Sequence, residues 1–160
     1  MNLSEFLDTV PSFADFTQQE LAILEQALVV SEFPDGHVFF RDGEAADSMY
    51  LVVAGEVVAT RRRPEMRRPI VLDRLTAGEL FGLVSLIDHR PHIMTCTAVG
   101  ETTVATLPRI AFELLYKANA NVGYHFQKLI ARQLVHDLRV YSQALRKSIA
   151  DNASEASDQR

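Results

Sequence analysis

Between Val29 and Thr106 the sequence alternates between short apolar runs and turn signals, and this pattern limits the fold more than any other feature. The runs are β-branched and aromatic: Val38-Phe39-Phe40, Met49-Tyr50-Leu51-Val52-Val53, Val57-Val58-Ala59-Thr60, Ile70-Val71-Leu72, Thr95-Cys96-Thr97-Ala98-Val99 and Thr102-Thr103-Val104-Ala105-Thr106. Such side chains suit a pleated, half-buried surface. Asp35-Gly36, Asp42-Gly43, Ala54-Gly55, Ala77-Gly78 and Val99-Gly100 separate them and read as turns. Many short strands with frequent turns predict an antiparallel sandwich or barrel.

Helical signals flank this region. Thr17-Gln18-Gln19-Glu20 fits a capping box, and Leu21, Leu24 and Leu28 follow at helical spacing. After Pro108 the helical period returns with Phe112 and Leu115, then breaks at Ala118-Asn119-Ala120-Asn121. A longer helix is expected from Asn121 or Val122 to Ile149. Within it Ala131, Leu134, Leu138, Tyr141 and Leu145 recur at spacings of 3, 4, 3 and 4, a coiled-coil seam that suits a homodimer. The class is α+β. The stretch Leu80-Phe81-Gly82-Leu83-Val84-Ser85-Leu86-Ile87 is too uniformly apolar for an alternating strand and reads as a short buried helix or a cavity-lining loop.

The 160 residues make one domain, expected over residues 1–150, and residues 151–160 hold no large apolar side chain and read as a disordered tail. Sixteen Lys and Arg against 21 Asp and Glu give a net charge of −5, which argues against broad nucleic-acid binding. A single cysteine, Cys96, leaves no disulfide framework and no cysteine-rich metal site. The apolar runs fall far short of the ~20 residues of a membrane span. Residues 1–10 carry Glu5 and Asp8 and lack the pattern of a secretory signal, so a cytoplasmic protein is expected.

Catalytic motifs do not emerge: neither a nucleophile elbow nor a phosphate loop ending in Lys-Ser or Lys-Thr appears, and the protein is expected not to be an enzyme. Asp88-His89-Arg90-Pro91-His92 sets two histidines three apart with Cys96 four further on, but Pro91 stiffens the loop and no metal is expected. Arg61-Arg62-Arg63-Pro64-Glu65-Met66-Arg67-Arg68 holds five arginines against one glutamate. It reads as an exposed hairpin loop, either simply solvated or a contact for an acidic protein partner.

Phe33-Pro34-Asp35-Gly36, Phe40-Arg41-Asp42-Gly43-Glu44 and the segment Asp47 through Val57, followed by Gly78-Glu79-Leu80-Phe81-Gly82, resemble successive strands and the phosphate-binding cassette of the cyclic-nucleotide-binding domain. This is the sensor domain of the catabolite-activator and fumarate-nitrate-regulator superfamily. The resemblance covers residues 6–145. It implies an antiparallel β jelly roll with N-terminal helices, a short cassette helix and a long C-terminal helix. In that family the cassette runs Phe-Gly-Glu, an aliphatic residue, Ala or Ser, Leu, a short loop, then Pro-Arg-Ser/Thr-Ala. The Glu accepts from the ribose hydroxyl, and the Arg and Ser or Thr hold the cyclic phosphate.

Here Phe81, Gly82, Ser85, Leu86 and Pro91 keep the frame, while Leu83 stands at the Glu position, His92 at the Arg, Ile93 at the Ser or Thr and Met94 at the small Ala. Hydrogen bonds to charged groups contribute roughly 1.5–3 kcal/mol each, so losing both sets costs ~3–6 kcal/mol, or about two to four decades of affinity. The expected ligand site is therefore Phe81, Gly82, Leu83, Val84, Ser85, Arg90, His92, Ile93 and Met94, with no cofactor assigned. The first reading is a stand-alone regulatory module gated by an anionic or less polar ligand. The alternatives are a cyclic AMP or cyclic GMP binder that uses His92 or Arg90, and a ligand-free interaction module. Family transcription factors carry a helix-turn-helix after the long helix. Only about ten polar residues follow Ile149, too few for that motif, so specific DNA binding is not expected.

Overall fold

The computed structural model describes residues 2–158. In chain order the elements are α1 (Leu3–Thr9), α2 (Gln18–Ala27), β1 (Val29–Phe33), β2 (Val38–Phe40), β3 (Ser48–Arg61), β4 (Ile70–Leu75), β5 (Leu80–Phe81), α3 (Leu83–Asp88), β6 (Thr95–Pro108), α4 (Arg109–Ala118) and α5 (Ala120–Asp158), with a 3-10 turn at Pro11–Phe13. The strands form one antiparallel sheet in the order β1-β6-β3-β4, with β2 on β6 and β5 on β3. This is the jelly roll that the resemblance implies.

Strand alternation sorts the apolar side chains into two cores. Met49, Leu51 and Val53 of β3 join a cluster with α1, α2, α4 and the first part of α5. Val52, Val57 and Ala59 of the same strand join Phe40, Leu72, Leu75, Phe81, Cys96 and Val104 in the other. The capping box forms at α2: Thr17 N–H donates to Glu20 Oε2 at 2.8 Å, and Glu20 N–H donates to Thr17 Oγ1 at 3.3 Å.

Two expectations need correction. Ala54-Gly55 and Val99-Gly100 are not turns between strands but kinks inside β3 and β6, where the register shifts. Gly55 (φ +89°) makes the β3 kink feasible: a Cβ there would lie 2.6 Å from the Glu101 carbonyl oxygen, so β6 approaches too closely for any side chain. The C-terminal helix does not fade at Ile149, since α5 continues through Asp158. Ala150, Ala153 and Ala156 are strong helix formers, and no Gly or Pro follows Gly123 to stop it. Its side chains over residues 151–157 are exposed. The break after α4 falls where the sequence places it and is sharp. Asn119 caps α5, its Oδ1 accepting from the Asn121 and Val122 amides.

Helix α5 changes role along its length. Val122, Phe126 and Leu129 are buried against Phe16 and Phe112. Beyond Leu129 none of its described side chains is fully buried. Lys128 and Arg132 pair with Asp15, and His136 Nε2 lies 3.1 Å from Asp73 Oδ2 on β4. From Gln133 to Tyr141 the helix lies along a cavity, and Tyr141 and Ala144 pack at the edge of the second core.

Candidate ligand site

The cassette begins with a tight approach. Gly82 (φ +77°) links β5 to α3, and a Cβ there would press to 3.1 Å of the Ser48 carbonyl oxygen and 3.3 Å of the Phe40 ring. Only glycine meets both the left-handed backbone and the lack of space. Leu83 and Leu86 then point into the helical core, each 1% exposed. Leu83, at the position where the family has Glu, is thus an interior packing residue.

The far end of α3 is fastened by Arg109, which sequence reading did not single out. Its guanidinium donates to Leu86 O at 3.0 Å and to Ala46 O, and lies 2.8 Å from His89 Nδ1. Its amide donates to Asp47 O. One side chain therefore ties the cassette to the loop before β3, and His89 takes a left-handed conformation there (φ 57°).

Downstream, His92 is fixed by backbone and ring. Its N–H donates to Glu44 O and its carbonyl accepts from Gly43 N–H. Its ring stacks on Phe40 at 3.6 Å between centroids, tilted by 9°, and the residue is 4% exposed. Burial lowers its pKa, against the pull of Asp47 and Glu44, which favours the neutral ring. Ile93 is 49% exposed. Met94 packs on the barrel-interior core, and Tyr141 Oη donates to its Sδ at 3.3 Å.

These pieces border a half-open cavity of about 500 Å³ between the cassette and α5. All nine expected site residues border it: Phe81, Gly82, Leu83, Val84 and Ser85 on one side, Arg90, His92, Ile93 and Met94 on another. Leu134, Leu138 and Tyr141, read as a dimer seam, also border the cavity, so the helix stripe faces its own cassette. Leu145 is not among its lining residues. Sequence reading missed three carboxylates here, Asp73, Asp88 and Asp137. No motif marks them, because β4, α3 and α5 bring them together only in three dimensions. Desolvation raises the Asp137 pKa, although Gln133 donates to its Oδ1 at 2.8 Å.

The histidine pair and the cysteine are not assembled as metal ligands. Cys96 lies fully buried in the barrel core, its thiol pKa pushed up by burial. Among the described residues, no group of three or more His, Cys, Asp or Glu could hold a metal ion. Among them also, no helix is long and apolar enough to cross a membrane.

The family model described as "Cyclic nucleotide-binding domain" matches residues 30–119. A CRP-like cAMP-activated global transcriptional regulator of Mycobacterium tuberculosis is 26% identical over 132 residues, which is 82% of this chain and 58% of the relative. A cAMP-dependent protein kinase regulatory subunit of Dictyostelium discoideum is 32% identical over 113 residues, 69% of this chain and 35% of the relative. This chain thus spans about half or less of these relatives' lengths. Among solved structures, the N-terminal domain of a transcriptional regulator from Streptomyces coelicolor superposes with a TM-score of 0.71 at 26% identity, covering 82% of this chain and 93% of that one. A cyclic nucleotide-binding domain from Methylobacillus flagellatus superposes with a TM-score of 0.78 at 24% identity, covering 91% and 82%, and supports the fold alone. With the jelly roll, the cassette frame and the long helix in place, the chain belongs to the cyclic nucleotide-binding domain family.

Proposed function

We propose that this protein is a cytoplasmic regulatory module whose cavity takes a small molecule other than a cyclic nucleotide and reports its presence through α5. The observation that carries this reading is a preserved cavity without the family's polar contacts. Leu83 packs inward, His92 is neutral and stacked on Phe40, and Ile93 offers no hydroxyl. The backbone of His92 is pinned to the turn before β3, which disfavours a rearrangement that would bring a cation to the phosphate position. The anionic ligand considered from sequence is disfavoured too, since three carboxylates border the cavity against one arginine, Arg90. A volume of about 500 Å³ falls in the range of drug-sized ligand pockets and speaks against a side-chain-filled, ligand-free domain.

Helix α5 is the natural output. Past Leu129 it is held by the Arg132–Asp15 pair, the His136–Asp73 contact and the Tyr141–Met94 contact. A ligand that touches both cassette and helix shifts the population in which the helix is docked. Leu134 and Leu138, 48% and 69% exposed, leave an apolar strip for a second copy of the chain. The second half of the Arg61–Arg68 loop, Glu65 to Arg68, borders a groove beside the last turns of α5, and the loop is the proposed contact for a protein partner. Calorimetric titration with cyclic AMP and cyclic GMP tests the ligand reading. Dissociation constants of roughly millimolar or weaker are expected from the missing contacts, and micromolar binding of either nucleotide overturns it.

A further inference from the structure

The charge and shape of the cavity say which small molecule it suits, given that it is not a cyclic nucleotide's site. We infer that the cavity binds a small organic cation, an apolar ring system bearing one ammonium group, with Asp137 as its anchor. The site is a half-open cavity, and three carboxylates border it against one arginine, the reverse of a phosphate pocket's balance. Asp137 stands on α5 between Leu134, Leu138 and Tyr141, all of which border the same space. Its Oδ1 accepts from Gln133, and among the described residues no cation pairs with it and nothing donates to Oδ2. A half-buried carboxylate without a cation is costly, and a position that served only packing would be apolar.

The other polar groups compensate it only in part: the neighbouring His136 favours its charge, and Asp73 opposes it. Asp73 lies across on β4, with its Oδ2 facing His136 and its Oδ1 accepting the Arg74 amide. Asp88 Oδ1 accepts the Arg90 amide, and the Arg90 side chain is exposed. His92, the remaining basic group on the wall, is neutral. Tyr141 adds aromatic surface on the same helix, with Phe40 and Phe81 buried behind the wall, and an aromatic ring beside a carboxylate is a combination that recognises ammonium groups. A ligand that bridges Asp137 on α5 to the β4 side would tie the helix to the barrel, which connects binding to the proposed output.

The test uses the full chain and three probes with one ring system: tryptamine, its neutral alcohol tryptophol, and indole-3-propionate, each titrated by calorimetry at pH 7 beside cyclic AMP. Tryptamine is expected to bind at least roughly tenfold more tightly than indole-3-propionate, the size set by one charge-assisted hydrogen bond. Asp137→Asn, which keeps shape and removes charge, is expected to lower tryptamine affinity by a similar factor and leave tryptophol unchanged. Equal or tighter binding of the acid, an unaltered tryptamine affinity in Asp137→Asn, or no binding by any of the three probes overturns the inference. Micromolar cyclic AMP binding instead overturns the functional reading on which it rests, so the two failures are distinguishable.

Discussion

Replacing Arg109 with Met should loosen the cassette. Arg109 is half-buried, and its guanidinium serves Leu86 O, Ala46 O and His89 Nδ1. Met keeps the aliphatic packing and removes the donors. Hydrogen bonds to charged groups contribute roughly 1.5–3 kcal/mol each, and water can replace part of the loss at a half-exposed site, so about 2–4 kcal/mol is expected. For a chain of this size 1 kcal/mol shifts Tm by about 2–4 °C, which gives a fall of roughly 4–16 °C. Urea unfolding measures the energy, and hydrogen exchange locates it. Amides of α3 should lose protection beyond the global loss, because the end of that helix is released from the loop before β3. A change below about 0.5 kcal/mol, the level of ordinary surface substitutions, with α3 protection intact would refute the idea that this arginine holds the cassette.

Gly123→Ala should destabilise although alanine favours helix, because its Cβ would sit 2.9 Å from the Tyr116 carbonyl oxygen; thermal denaturation that shows stabilisation contradicts this. Asp137 titrates with its folded pKa raised by burial, so the folded state holds the proton more tightly and stability falls as pH rises from the unfolded value toward the folded one. Asp137→Asn should therefore raise stability at pH 7 and flatten that acid-side slope, as read by urea unfolding at several pH values. Leu138→Glu should convert a dimer to a monomer in sedimentation equilibrium if α5 forms the interface, and an unchanged mass removes α5 from that role.

The parts of the fold set by local chemistry were readable from sequence. The Thr17–Glu20 capping box forms hydrogen bond by hydrogen bond, and the cassette stretch from Leu80 to Ile87 resolves into a two-residue strand, a left-handed glycine and a buried helix. Gly55 and Gly100 showed where the backbone turns but not that β3 and β6 run on through the bend, since strand continuity depends on a partner that is distant in sequence. The stripe Leu134, Leu138 and Tyr141 was correct as a face and ambiguous as to partner. Helical period reports which side is apolar, not whether a cassette or a second chain lies against it. Arg109, Asp73 and Asp137 belong to no local pattern, and only the packing of α4, β4 and α5 gives them meaning. Past Ile149 the polar composition reads as disorder, yet alanine spacing and the absence of Gly and Pro favour the helix that runs to Asp158.

The proposed function requires that Leu83, His92, Ile93 and Met94 stand where the resemblance places the family's nucleotide contacts. Its most direct test is the cyclic AMP dissociation constant of the double variant His92→Arg, Ile93→Ser beside that of the unaltered protein. Restoring one charged donor and one hydroxyl should tighten binding by at least roughly tenfold from a starting value near millimolar. Micromolar binding by the unaltered protein, or no gain in a folded variant, would contradict the claim.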